Sequence, residues 1–440
     1  MTKTTTQRII TIVSYLIIMV LIVSLTGLVG WYFFLRSKTA TIVSINTARG
    51  FGTAAPLFEG AGGSTYQNVL SNIAPNSSST APSVSIKRKP PQLWKISQNP
   101  VAGAGFVKSG ASTMIYFVER ATGYIFSADP ETGELVRITN TLRPKIYEAF
   151  FTNNGFVIER SLDDAGNIVT FAGTLLAAPA KESATTTEAL RGTLLERNII
   201  SLAVHPASPE IFYTTLDAKA GLVGTRTLWN GSKMKQVFSS NILDWRMVWL
   251  ADGRLIITQK AADNTAGYSY EVSQTSVQKS LIGNVSGLTL LPRASSPAIL
   301  YGASGGGTLS LWAKIDQKTP AVQLPLKTVA DKCVWAPSKT VGKVVDMTLF
   351  AYCAVPQTLP DGDFLDQWYR GAVHTEDSWW KVDVKSGTAK ALFSSAQLAS
   401  LDVDRPTIDE SGNYIAFINA ADTSLWLLRL DLEGAATSTD

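Results

Sequence analysis

From Gln92 onward, the chain is a series of short runs in which apolar and polar residues alternate, separated by Gly, Asn and Asp. Representative runs are MIYFVER, FVIER, EIFYTTL, RLIITQK, LSLWAKID, LFAYCAV and YIAFINA. Because successive side chains of a strand point to opposite faces, this period of two, rich in β-branched and aromatic residues, predicts β-strands. The nearest approach to a helical period is Glu188–Glu196, within an excursion where we expect an exposed loop with a short helical turn.

The predicted strands recur as a unit. The first strands of successive units start near Val101, Tyr147, Ile199, Leu243, Gly287, Lys332 and Val403. Spacings of roughly 45 residues, with one interval of roughly 70, are typical of four-stranded propeller blades. We therefore predict an all-β β-propeller of about seven four-stranded blades over residues 92–432, although six or eight blades also fit. The segment 92–97 is placed to supply the missing outer strand of the last blade and so close the ring.

A second pattern precedes the strands. Residues 9–35 carry no charge, and about 20 helical residues suffice to cross a bilayer, so this segment predicts one transmembrane α-helix after a short tail at 1–8. A cleaved signal peptide has a shorter apolar core, and a buried core helix is the other alternative. Residues 36–91 are rich in Ser, Thr, Gly and Pro and predict a flexible stalk, and 433–440 a disordered tail.

The orientation of this anchor rests on weaker signals, because basic residues flank the apolar segment on both sides. Strands rich in Ser and Thr favour an exported domain. The two cysteines, Cys333 and Cys353, fall on neighbouring predicted strands, where a disulfide is geometrically allowed, and two unconnected buried thiols are the alternative. We expect a single-pass protein of the cytoplasmic membrane with its propeller outside the cytoplasm.

The composition is that of a globular protein, with 45% hydrophobic and 17% charged residues. The net charge of +4 belongs to the N-terminal part, since residues 1–91 hold eight basic residues and one acidic residue. The remaining chain is slightly acidic and shows no basic footprint for nucleic acid. We predict neither a nucleic-acid partner nor a cofactor.

Several segments resemble a known repeat. The run PTIDESGNYIAF at 406–417 resembles the P-x-W-S-P-D-G-x-x-I-A-F repeat of TolB-type, WD40-like propellers. Segments 151–158, 249–257 and 203–206 are similar to parts of the same repeat. The chain also resembles single-pass, membrane-anchored propeller proteins of small-genome bacteria. These resemblances imply a fold but no activity, because propellers host enzymes, scaffolds and receptors alike.

The long interval between blades contains the predicted binding loop, which spans 360–377. Connections of this length are usually functional or disordered, and the aromatic content favours order. Trp, Tyr and Arg are common in contact hot spots, so we predict a binding surface formed by Phe364, Trp368, Tyr369, Arg370 and His374. The alternative is a loop that only caps its blade.

Five carboxylates lie in the same stretch: Asp361, Asp363, Asp366, Glu376 and Asp377. Paired acids would suit glycoside hydrolysis or Ca²⁺, but the ligand order of an EF-hand is absent. With two histidines, His205 and His374, in different blades, we predict no metal site. The glycine-rich 302–307 lacks the Lys-Ser/Thr ending of a phosphate loop and predicts a hairpin turn.

The function expected from these observations is a binding or scaffold module for an envelope protein or a surface glycan, with affinity supplied by the 360–377 loop or by the mouth of the central channel. The alternative is an extracytoplasmic hydrolase or lyase that uses carboxylates of the 360–377 loop. A purely structural envelope component is the third interpretation.

Overall fold

The computed structural model describes residues 19–20 and 90–430, except 110–111, 177–188, 275–277, 339, 342–343, 346–347 and 393–399. The chain divides into two units, Met1–Val84 and Ser85–Asp440, and nearly all described residues belong to the second. The predicted tails, transmembrane helix and stalk lie outside the described residues, apart from Met19 and Val20, which are helical, and residues 90–91. Within the described part, no helix is long and apolar enough to cross a membrane.

The second unit is built from four-stranded antiparallel sheets. Strand β1 is Leu93–Lys95. Blade 1 comprises β2 (Val101–Ser109), β3 (Ser112–Glu119), β4 (Ile125–Ala128) and β5 (Leu135–Arg137). Blade 2 comprises β6 (Ile146–Phe151), β7 (Phe156–Leu162), β8 (Ile168–Leu175) and β9 (Leu190–Leu194). Blade 3 comprises β10 (Ser201–Val204), β11 (Glu210–Asp217), β12 (Gly221–Leu228) and β13 (Lys235–Ser240). Blade 4 comprises β14 (Trp245–Trp249), β15 (Leu255–Gln259), β16 (Ala266–Val272) and β17 (Gln278–Ser286).

The remaining blades follow the same order. Blade 5 comprises β18 (Thr289–Pro292), β19 (Ile299–Gly305), β20 (Thr308–Lys314) and β21 (Val322–Gln323). A 3₁₀ turn, Ala330–Lys332, leads into blade 6. Blade 6 comprises β22 (Cys333–Trp335), β25 (Phe350–Pro356), β26 (Asp377–Asp383) and β27 (Thr388–Ala391), with a small hairpin of β23 (Thr340–Val341) and β24 (Val344–Val345) inserted. Blade 7 comprises β28 (Val403–Ile408), β29 (Tyr414–Asn419) and β30 (Leu425–Arg429), completed by β1.

The described strands therefore form an all-β propeller of seven four-stranded blades. The first strand of every blade begins within two residues of its predicted position. One local expectation was wrong: Leu190–Leu194, inside the segment closest to a helical period, is the outer strand β9. Its backbone bonds satisfy the outer edge of β8, which a single helical turn would leave open.

The ring closes as predicted from the sequence. Strand β1 pairs antiparallel with β30, so that Leu93, Trp94 and Lys95 lie opposite Leu428, Leu427 and Trp426. The backbone N–H of Ile96 extends the pairing by donating to the carbonyl of Leu425 at 2.8 Å. Because β1 precedes blade 1 and β30 ends blade 7, this pairing joins the two ends of the domain and covers the outer edge of β30.

The core is divided among the blade interfaces. Each neighbouring pair of blades encloses its own cluster of buried apolar side chains, as Phe212 of blade 3 and Trp245 of blade 4 illustrate. Apolar side chains on both faces of a sheet can be buried only between two neighbours, which explains why the blades must stack into a ring.

The strand order also defines the two faces of the ring. Every first strand begins at the same end of the propeller, and antiparallel pairing brings two kinds of connection to that end. These are the second-to-third-strand hairpins and the links from one blade to the next, and we call this end the upper face. One such hairpin, in blade 5, turns at Gly306 and Gly307, whose φ angles of 59° and 73° suit a tight glycine turn.

Cys333 on β22 lies directly opposite Cys353 on β25, and the two form a disulfide. It links the first and second strands of blade 6, the blade that carries the long predicted loop. Both residues are buried among the apolar side chains that blades 5 and 6 share.

Candidate functional site

The long connection of blade 6 contains the helix α1, Phe364–Tyr369. A turn with Gly362 at φ 86° precedes it, and Gly371 at φ 67° follows it, as glycine does after many helices. The backbone N–H of Leu365 donates to Asp263 Oδ2 of blade 4 at 2.6 Å, which fixes the start of the helix. The connection is thus an ordered helical segment attached to a blade two positions away.

One side of α1 is buried against the upper face. Phe364, Leu365 and Trp368 pack with Ala261, Leu309 and Val329, which come from blades 4 and 5 and the link into blade 6. Phe364 is 3% exposed and Trp368 is 7% exposed. At about 25 cal/mol per Å² of apolar surface, two such aromatic side chains stabilise the attachment by a few kcal/mol. These two predicted binding residues therefore attach the loop to the propeller.

Beneath α1 lies a buried network of charged groups, formed by Lys332, Thr375, Asp377 and Asp402, which we call the anchor network. The Lys332 ammonium is fully buried and donates to Asp377 Oδ2 and Asp402 Oδ1, each at 2.6 Å. It also donates to Thr375 Oγ1 at 2.9 Å. These bonds join the long connection, the start of blade 6 and the start of blade 7 at one ammonium group.

The aromatic helix is tied to the same network. The indole Nε1 of Trp368 donates to Asp402 Oδ1 at 2.9 Å, and the Lys332 ammonium lies 4.7 Å from the centre of the Trp368 ring. His374 Nδ1 lies 3.0 Å from Asp402 Oδ2, while the rest of its ring faces solvent. Charge-assisted bonds of this kind are stronger than neutral ones, so the network holds the helix in one position.

Burial and neighbouring charges have opposite effects on the pKa values of Asp377 and Asp402. Burial acts to raise the pKa of Asp402, but the charge of Lys332 and the bonds from Lys332, His374 and Trp368 outweigh it and hold that pKa below its usual value. For Asp377 burial wins, and its pKa is raised in spite of Lys332. As the pH falls, Asp377 is therefore protonated first, and Asp402 remains ionised beside Lys332.

On its other side, α1 presents Tyr369 to Arg246 and Asp331. Arg246, at the start of blade 4, donates from Nη1 to the Tyr369 hydroxyl at 2.8 Å and forms an ion pair with Asp331. The Tyr369 hydroxyl in turn donates to Asp331. Desolvation raises the pKa of Tyr369, so its hydroxyl remains a donor at neutral pH. Arg370 is exposed, and its Nε donates to the carbonyl of Asp366 at 2.8 Å.

Two cavities open on the upper face on either side of Tyr369. The first, the mouth cavity, has a volume of about 300 Å³ and lies where the inner strands of blades 2, 4 and 7 begin. The second, the side groove, has a volume of about 530 Å³ and lies between α1 and the link from blade 3 to blade 4. Tyr369 and Arg370 line the side groove together with Ile242 and Leu243.

The five predicted binding residues thus lie in three different environments. Phe364 and Trp368 are buried, Tyr369 and Arg370 line a groove, and His374 is exposed above Asp402. Whether they contact a partner stays a prediction.

The loop carboxylates are dispersed as well. Asp361 and Glu376 are exposed, and Asp363 accepts from Asn264 Nδ2 at 3.2 Å. Asp366 lines the side groove, and Asp377 is buried beside Lys332. Among the described residues, no group of three or more His, Cys, Asp or Glu side chains is arranged to hold a metal ion. The acids therefore do not converge on one cavity in the way that paired catalytic carboxylates do.

Sequence reasoning missed the residues that position this loop: Arg246, Asp263, Asp331, Lys332 and Asp402. A usable signal was present, because most of them stand at or just before the start of an inner strand. Inner strands of all blades begin at the upper face, so charged residues at those positions converge there. Aligning the blades by their first strands would therefore have predicted that these residues lie close together.

The comparisons with known proteins concern the fold. No family model and no curated protein sequence matches the chain. The structure is similar to virginiamycin B lyase from Staphylococcus aureus, with 11% identity, a TM-score of 0.46, and coverage of 77% of this chain and 98% of that one. It is similar to the Cps50 (Swd1) β-propeller domain of Myceliophteria thermophila, with 8% identity, a TM-score of 0.45, and coverage of 77% and 99%. It is also similar to TolB from Acinetobacter baumannii, with 12% identity, a TM-score of 0.36, and coverage of 74% and 79%.

These proteins have different roles, and their likeness to this chain concerns the fold alone. By its strand pairing the chain is a seven-bladed β-propeller, and its structural neighbours include TolB and WD40-type propeller domains.

Proposed function

We propose that this protein is a binding module that holds a segment of a partner protein of the cell envelope in the side groove. In this proposal residues 9–35 anchor the chain in the cytoplasmic membrane and the propeller lies outside the cytoplasm. The uncharged N-terminal segment supports the anchor, and the Cys333–Cys353 disulfide supports an oxidising compartment. The arrangement is that of the single-pass propeller proteins that the sequence resembles.

The observation that carries the proposal is the composition of the side groove. Ile242 and Leu243 leave 41% and 48% of their surface exposed beside Tyr369 and Arg370. Contact hot spots combine apolar surface with Tyr and Arg in this way, surrounded by polar groups that Lys260 and Asp366 supply here. Because the anchor network fixes α1, the wall formed by α1 is already in place before a partner binds, and little ordering cost is added.

The alternative of a hydrolase or lyase is less well supported, because the loop acids lie in separate surroundings. A binding role needs only a fixed surface, and the attachment of α1 provides one.

Photo-crosslinking from a single position tests the proposal. A photoreactive residue replaces Leu243 in the full chain in its native membranes, and a matched control replaces Leu135, which is 49% exposed on the outer strand of blade 1. We expect one defined protein adduct from position 243 that is absent from position 135. Arg370→Glu in the same chain reverses one charge of the groove, and we expect it to reduce the adduct by about tenfold, equivalent to about 1.4 kcal/mol.

Two results would contradict the proposal. One is an identical set of adducts from both positions, and the other is a position-243 adduct that Arg370→Glu leaves unchanged. Circular dichroism of each variant confirms that the propeller is folded before the adducts are compared.

A further inference from the structure

The mouth cavity lies on the opposite side of Tyr369 from the side groove. Its walls come from Tyr147 and Glu148 of β6, Arg246 of β14, and Asp404 and Arg405 of β28. Trp368, Tyr369 and Ala420 complete the lining. A volume of about 300 Å³ admits a ligand of one or two six-membered rings, at the small end of the usual range for ligand sites.

The charged groups of this cavity are already paired within the protein. Arg405 donates from Nε to Asp404 Oδ2 at 3.1 Å, and Arg246 is paired with Asp331. Glu148 is paired with Arg160. Each ionic group therefore has an opposite charge beside it, and the cavity offers no excess charge to attract a small anion or cation.

The same groups still present hydrogen-bonding atoms to the cavity. The side chains of Arg246 and Arg405 are each 39% exposed, and those of Asp404 and Glu148 are 29% and 28% exposed. Guanidinium groups only donate and carboxylates only accept, so the wall carries both donors and acceptors. A hydroxyl group both donates and accepts, and a ligand rich in hydroxyls is the neutral ligand that matches this wall.

Aromatic rings are the second chemical feature of the cavity wall, beside its hydrogen-bonding groups. Arg246 lies 4.9 Å from the centre of the Tyr369 ring, and Arg160 lies 5.3 Å from the centre of the Tyr147 ring, which fixes both rings in place. Sugar rings carry hydroxyls at their edges and C–H groups on their faces. The C–H faces pack against aromatic rings while the edges bond to polar groups.

We propose that the mouth cavity binds one or two units of a neutral saccharide. This inference is independent of the partner-protein function, since it concerns a different cavity and different walls. It assigns the upper face a second ligand of a different class.

Titration of the full chain, kept in a detergent without a sugar headgroup, tests the inference. The probes are glucose, galactose, mannose, N-acetylglucosamine and their β1,4-linked disaccharides, observed by saturation-transfer NMR. We expect at least one of them to bind the intact chain. Ala420→Trp fills the cavity without removing a charge and should abolish the signal, whereas Ala421→Trp, at the exposed next position of the same turn, should retain it.

A second variant tests the hydrogen-bonding wall. Asp404→Asn replaces an acceptor by a group that also donates, and we expect the affinity for the bound saccharide to fall about tenfold. Binding of none of the saccharides would overturn the inference. So would equal binding by the Ala420→Trp and Ala421→Trp variants, or selective binding of a charged probe such as citrate or arginine in place of a sugar.

Discussion

Replacing Lys332 by methionine is expected to lower the free energy of unfolding by about 3–5 kcal/mol. Methionine fills much of the same space but leaves the carboxyl groups of Asp377 and Asp402 buried without their cation. Removing one partner of a buried ionic network costs far more than the network contributes over an apolar replacement, because the remaining charges stay desolvated. Urea denaturation followed by tryptophan fluorescence measures the difference.

Two further variants test whether the loss of stability comes from the anchor network. Lys390→Met changes an exposed lysine on β27 of the same blade and should leave stability within about 0.5 kcal/mol of the intact chain. Adding Asp377→Asn and Asp402→Asn to Lys332→Met removes the uncompensated charges and should restore part of the loss. A Lys332→Met variant as stable as the Lys390→Met control would show that the network does not support the fold.

Deleting residues 90–97 is expected to destabilise the propeller by roughly 5 kcal/mol or more. The deletion removes strand β1 and with it the backbone pairing to β30 and the packing of Trp94 and Ile96. It also exposes the edge of β30, whose free backbone groups can pair with another chain. We expect a lower melting temperature together with aggregation in size-exclusion chromatography.

A matched deletion distinguishes the effect of losing ring closure from the effect of shortening the chain. Removing residues 70–77 of the predicted stalk shortens the chain by the same number of residues and should leave the melting temperature unchanged. A synthetic peptide of residues 90–98 added to the closure variant should raise its melting temperature by occupying the vacant edge. Equal melting temperatures for both deletions would contradict a ring closed by β1.

The propeller was predictable because its signals are local. Each strand shows its alternation within a few residues, and the repeat of blades fixed the positions of inner strands to within two residues. The closing strand was predictable for the same reason, since a blade with three strands after Val403 needs a fourth. Counting the strands of each blade is enough to predict that the segment before blade 1 supplies it.

The site was harder to predict because its contacts are distant in the sequence. Lys332 meets Asp377 and Asp402 across 45 and 70 residues, and no local pattern marks such a meeting. Helix α1 has six residues, too few for a helical period to show. Phe364 and Trp368 have the residue types of a hot spot, yet the same types fill cores, and burial is decided by the fold.

The long connection of blade 6 is a fixed wall of the upper face, held there by the anchor network. Native-state hydrogen exchange of residues 363–372 in the full chain tests this most directly. We expect protection close to that of inner strand β28, and a selective loss of protection in the Lys332→Met variant. Exchange of 363–372 in the intact chain as fast as that of the exposed residues Lys385 and Ser386, in the turn after β26, would contradict this attachment.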